Sequence, residues 1–203
     1  MASRLMNLNR TLTWSDFGRP RTVAAPAAGV KATIAQCRTT YRETINFDGI
    51  KGTRTLKLRD DVVIEVVLDS RNTFVNAWLF DRPQDFQDAT LHHEQGHYDL
   101  VALFCRDMFY EYIAVLPQTF ANVKAAAAAT PPIKRRFDKL IAGVHKAYDD
   151  DTEHGLNADR QKIWDGFIQS ALTKDRSPAA SAPDGTALKT PLADVLTAGG
   201  VTI

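Results

Sequence analysis

Two cysteines, Cys37 and Cys105, are all that the 203 residues contain, which excludes a disulfide scaffold and a thiolate zinc cluster, since both need more sulfurs at closer spacing. The pair reads either as two buried thiols or as one bridge from an early strand to the central helix. Neither sign of charge is in excess, with 25 basic against 24 acidic side chains. No electrostatic footprint therefore points to nucleic acid or to an anionic membrane surface. No apolar run approaches the roughly 20 residues that span a bilayer, and the N-terminal MASRLMNLNRTLTW has no apolar stretch of the kind a secretory signal carries. What remains is a hydrophobic share of 44%, enough to close one sizeable core.

Along the chain the pattern predicts strands first and helices afterwards. Val30 to Tyr41 is rich in β-branched residues and follows a Pro/Ala stretch at 20–28. Thr53–Leu58 and Val62–Leu68 flank the turn-like Arg59-Asp60-Asp61 and read as a hairpin, and Thr73–Phe80 continues the series as an antiparallel meander. After Pro83 the period becomes helical, and a helix is expected from about Phe86 to Val115. Two more are expected at Ile133–Tyr148 and, with Asn157 as N-cap, at Ala158–Leu172. The fold class is thus α+β: a small antiparallel sheet packed on one long helix plus two further helices. Residues 1–176 form the domain, and 177–203, rich in Ser, Pro, Ala and Gly, read as a flexible tail whose apolar end, LADVLTAGGVTI, can dock.

Chemistry concentrates at His93-Glu94-Gln95-Gly96-His97. On a helix, positions four apart share a face about 6 Å apart along the axis, so both imidazoles can reach one zinc ion. Glu94 is rotated about 100° from His93, which sets its carboxylate beside the metal as a base rather than on it as a ligand. Leu100, Val101, Phe104 and Met108 continue the histidine stripe, so the histidines belong to the buried face, where a shared metal would satisfy their polar nitrogens. A catalytic zinc needs a third protein ligand. The segment Tyr148-Asp149-Asp150-Asp151-Thr152-Glu153-His154-Gly155 offers His154 first and Asp149 second, the latter as ligand or as a carboxylate orienting an imidazole. His92 reads as a neighbour on the helix flank and His145 as a surface histidine.

Several separated pieces together resemble the predicted secreted zinc-dependent proteases grouped as domain-of-unknown-function family 922. They are Leu12-Thr13-Trp14-Ser15-Asp16-Phe17, the run Leu91 to Leu100 around the histidine motif, and Tyr148-Asp149 through Thr152, His154 and Gly155. The resemblance spans about residues 11–173. It implies a zincin-like fold, peptide-bond hydrolysis, and a site shared between the long helix and the Thr152–Gly155 segment. It also implies a secreted or periplasmic setting. Trp14, Asp16 and Phe17 are expected to be structural, an aromatic anchor and a cap.

The expected function is a bacterial zinc metallopeptidase with metal on His93, His97 and His154, Glu94 as general base and a peptide or protein as substrate. Tyr148 is a further donor to a developing oxyanion, and Thr73–Phe80 a strand on which an extended substrate pairs. Two rivals use the same residues: a zinc amidase acting on a non-protein substrate, and a non-catalytic binding protein in which zinc is structural. The second leaves Glu94 without a purpose.

Overall fold

A proline-free stretch of 32 residues, Gln84–Val115, forms the helix on which the rest is built. The computed structural model describes residues 2–25, 33–176 and 187–203. In chain order the elements are β1 (Arg4–Met6), β2 (Ala35–Gln36), β3 (Thr39–Thr44), β4 (Phe47–Gly49), β5 (Leu56–Leu58), β6 (Val63–Leu68), β7 (Phe74–Val75), α1 (Gln84–Val115), β8 (Thr119–Phe120), α2 (Val123–Ala129), α3 (Pro131–Thr152), α4 (Ala158–Thr173) and α5 (Leu192–Ala198). α1 packs on β6 and β3 and on α3, α4 and α5. This is the α+β arrangement expected, with mixed small sheets against a long motif-bearing helix.

Strand pairing departs from the expected meander. β6 lies between β3, antiparallel, and β1, parallel, with Ile64 and Val66 turned into the core. β5 does not pair with β6; its partners are β4 and β8. The reason is local: Ile50-Lys51-Gly52-Thr53 closes a tight turn, with Gly52 at φ 80° and Thr53 N–H donating to the Ile50 carbonyl at 3.1 Å. That turn claims Leu56–Leu58 for the preceding segment. The early strand is likewise split into β2 and β3 at Cys37–Arg38, where the backbone donors serve side chains instead of a ladder: Cys37 N–H on Glu94 and Arg38 N–H on Thr73. Its expected start, residues 30–32, lies outside the described residues.

Thr73–Phe80 is not a strand throughout. Phe74–Val75 pairs with β2 and Asn76 forms an isolated bridge with Arg21, before Ala77–Asp81 coils into a 3-10 turn. No extended edge for a substrate runs along this segment.

The helices follow the sequence more closely. α4 begins where expected, with the Asn157 side chain accepting from Arg160 N–H at 3.1 Å. α3 runs on to Thr152, past the expected end at Tyr148, and stops at three consecutive residues with positive φ: Glu153 (52°), His154 (56°) and Gly155 (81°). Near the N-terminus Phe17 is buried, the Trp14 ring packs on Phe17 and Phe80, and Asp16 caps Thr13 N–H. Both cysteines are free and buried, the first of the two readings. Beyond residues 177–186, which lie outside the described residues, the apolar chain end docks: Leu192 and Leu196 of α5 are fully buried. No helix among the described residues is long and apolar enough to cross a membrane.

Candidate metal centre

Residues from three helices build the site. α1 supplies His93, Glu94 and His97, all buried. α3 supplies His145, Tyr148, Asp149 and Thr152, which share a face through their i+3, i+4 and i+7 spacing. α4 adds Gln161 from its first turns. Ligand atoms of His93, His97 and Asp149 all lie within 4.8 Å of one another, the group of this kind found among the described residues.

Nε2 of His93 is 3.1 Å and Nε2 of His97 3.0 Å from the same Asp149 oxygen, Oδ1. Ligands held about 2.0–2.1 Å from a tetrahedral zinc stand roughly 3.3–3.4 Å apart. Each imidazole nitrogen thus stands only a few tenths of an ångström closer to the aspartate oxygen than two ligands of one zinc would, and two imidazoles plus a carboxylate are a donor set suited to zinc. Because Asp149 belongs to the last turn of a helix and not to a loop, its position is fixed by the packing of α3 on α1. The structure therefore gathers the second of the two anticipated third ligands. His154 stands beside it, its Nδ1 3.3 Å from Asp149 Oδ1, on an exposed side chain and outside the clustered group.

Comparison of the chain with family models, with curated proteins and with solved structures finds no match. What the site shows directly is a zincin-like signature, a His-Glu-x-x-His helix with an aspartate brought in from another helix. It supports a zinc-dependent catalytic site.

The charged groups of the site act strongly on one another. Burial raises the Asp149 carboxyl, but the two imidazoles bonded to it win and hold it well below the usual carboxylate range. Burial would depress His97, yet the Asp149 hydrogen bond and the nearby Glu94 charge leave it above its ordinary value. Glu94 is pushed up by burial, only partly offset by the charges of His97 and His93. Its Oε2 accepts from Cys37 N–H at 2.5 Å.

A pH prediction follows with its sign. A depressed Asp149 stabilises the fold above about pH 4 and loses that contribution as pH falls through its lowered value. A raised His97 contributes fully below about pH 6.5 and loses it as pH rises through its elevated value. The Asp149–His97 pair thus contributes most between about pH 4 and 6.5, but His145, which burial holds neutral, takes stability away below about pH 6.5, so chelator-treated protein is expected to melt highest toward the upper end of that window. Added zinc should extend stability to the alkaline side, because the metal takes the place of the proton between the ligands. Thermal melts at pH 6.5 and 9, with and without zinc, check this; equal melting at both without metal would refute the coupling.

Several contacts went unread in the sequence. His145 is half-buried and turned toward the site, not solvated: its Nδ1 lies 2.8 Å from Nδ1 of His97, and burial with the His97 charge lowers it to about 4, so it stays neutral. The sequence signal was its place four residues before Asp149. Tyr148 is not directed at the reaction space; its ring stacks on His93 at 4.6 Å and 17°, and its hydroxyl donates to the His93 carbonyl at 3.2 Å. Gln95 ties the motif to the N-terminal segment, accepting from Leu12 N–H at 2.7 Å and donating to the Arg10 carbonyl at 2.9 Å. Gly96 leaves room for Tyr148, and Gly155 for His93: a Cβ on Gly155 would lie 2.7 Å from the His93 Cβ, at a φ of +81° that L residues rarely adopt. His92 sits on the helix flank, as expected, with Nε2 2.9 Å from Asp165 Oδ2.

Proposed function

We propose that this chain is a zinc-dependent peptidase of the family it resembles, with zinc held by His93, His97 and Asp149 and with Glu94 as general base. The observation that carries the proposal is the convergence of those three ligand atoms from two separate helices, with the Glu94 carboxylate one residue along from His93. A zinc ion bound there supplies Lewis acidity, which polarises a scissile carbonyl and makes water more acidic. The protein's own groups do the rest. Glu94 keeps Oε2 on Cys37 N–H, which leaves Oε1 as the atom that takes a proton from the attacking water and returns it to the departing amine. Burial, by raising this carboxyl, brings it nearer the range in which a base works at neutral pH.

One observation favours a second ligand set. His154 occupies the left-handed region together with Glu153, and its Nδ1 is already 3.3 Å from Asp149 Oδ1. Backbone held in such a conformation is a frequent companion of functional side chains. His93, His97 and His154 would then hold the metal, with Asp149 orienting an imidazole.

Elemental analysis after dialysis separates these cases. The unmodified protein is expected to hold about one zinc per chain. His93→Ala and Asp149→Ala should lose it, whereas His154→Ala retains it; loss in His154→Ala with retention in Asp149→Ala selects the second set. A chain that binds no zinc under any loading condition overturns the enzyme reading. Hydrolysis assays over peptides, folded proteins and cell-wall amides then test the substrate class, and turnover confined to the last would show an amidase.

A further inference from the structure

Both imidazoles of the centre turn Nε2 toward Asp149, and a nitrogen can bind a metal only if it carries no proton. The other nitrogen, Nδ1, must then keep its hydrogen, and whatever touches Nδ1 must accept it. Around His93 the neighbours meet that condition for a traceable reason. Thr152 Oγ1, 3.4 Å from His93 Nδ1, spends its own hydrogen on the Tyr148 carbonyl at 2.7 Å, so it has only lone pairs left for the histidine. Gln161 presents Oε1 to Nδ1 at 3.2 Å, and its Nε2 lies 2.6 Å from the Tyr148 hydroxyl and 3.0 Å from Asp165 Oδ1.

An amide could in principle sit either way round. Two contacts forbid the reversed orientation. Tyr148 gives its hydrogen to the His93 carbonyl and must accept from Gln161, while Asp165, as a carboxylate, can only accept. The Gln161 NH2 group therefore faces Tyr148 and Asp165, and its oxygen faces the histidine.

Resting on the metal reading above, we propose that Asp165 and Gln161 are positioning residues for the zinc centre: Asp165 fixes the Gln161 amide, and the amide fixes His93 in the tautomer that can bind metal. Asp165 touches neither imidazole ligand; its only other side-chain partner among the described residues is His92, on the protein surface. Replacing it by asparagine changes almost no volume but removes the demand for a donor. Only the Tyr148 hydroxyl then opposes reversal, and its hydrogen can rotate from the His93 carbonyl to the amide oxygen; Gln161 so reversed offers N–H to His93 Nδ1 and drives the proton to Nε2, where it competes with zinc.

The test is a zinc dissociation constant, measured by competition with a chromophoric chelator, together with the visible spectrum of the cobalt-substituted protein. Asp165→Asn should weaken zinc about 10- to 100-fold, as the loss of such supporting partners generally does, and alter the cobalt bands. The melting of the chelator-treated protein should stay unchanged. His92→Ala, which removes the other partner of Asp165, should leave affinity and spectrum as they were. Gln161→Met, which keeps the volume but lacks the acceptor, serves as a second variant and should weaken zinc similarly. Wild-type affinity in both Asp165→Asn and Gln161→Met overturns the inference while leaving the zinc centre standing. Failure of the unmodified protein to bind zinc overturns the centre itself and this inference with it.

Discussion

Glu94→Gln is expected to keep its zinc and to lose about 10²- to 10⁴-fold in hydrolysis, the range general acid–base groups contribute. Glu94 lies outside the clustered ligand atoms, so metal content should not depend on its charge. The amide oxygen can still accept from Cys37 N–H as the carboxylate does at 2.5 Å, so the geometry of the helix has no reason to change. What the amide cannot do is take up a proton near neutral pH. Loss of turnover with full zinc occupancy would assign the base to this side chain. Full activity in the variant would mean that the proton moves elsewhere, and the peptidase mechanism would have to be abandoned.

Gly96→Ala should have the largest effect on the fold, although its position is one that the His-Glu-x-x-His pattern leaves free. A Cβ there would stand 2.2 Å from the Tyr148 hydroxyl and 2.7 Å from its Cζ. The ring has nowhere to retreat. It is fully buried, stacked on His93 at 4.6 Å and packed against Trp164 at 5.1 Å, and its hydroxyl is bound to Gln161. Overpacking against such a ring costs on the order of 3 kcal/mol, and because α1 and α3 carry opposite halves of the ligand set, their separation should cost zinc as well. Denaturant melts and zinc titration of the variant check both. Adding Tyr148→Phe removes the nearest atom alone and should recover part of the loss. Wild-type stability in Gly96→Ala would show that the two helices do not approach as closely as described.

The two halves of the site were unequally legible. His93, Glu94 and His97 could be read because helical spacing is a local property, written in five consecutive residues, and the Asn157 cap is local in the same way. Asp149 was visible as a choice between two residues, since the decision depends on where α3 ends. A helix ending at Tyr148 would have left Asp149 in a turn; one continuing to Thr152 aims it at α1. The glycine that permits the stop, Gly155, was in view, but two further residues with positive φ before it were not. His145 was misplaced for the same cause, because a histidine near a helix end reads as solvated unless its facing helix is known. Strand pairing failed at β5, where two turns competed for one segment and the tighter one, through Gly52, prevailed. Gln161 and Asp165 carry no local signal, since their roles depend on which atoms of distant residues they meet.

The clasp at the far end of α1 bears on the order in which the protein can be made. Arg106 and Asp107 are buried together; Arg106 donates to the carbonyls of Ala171 and Thr190, and Asp107 accepts from Leu192 N–H at 2.8 Å. During synthesis the motif helix emerges some eighty residues before the segment that satisfies this charge pair and covers its apolar surface with Leu192 and Leu196. A nascent chain can coil α1 and even gather its histidines, but it holds an unfinished charge pair and an open apolar face until residues 190–196 arrive. Gathering of the histidines and final closure are therefore separable events in biosynthesis, and a ribosome stalled short of Thr190 should display a chain that aggregates or recruits chaperones.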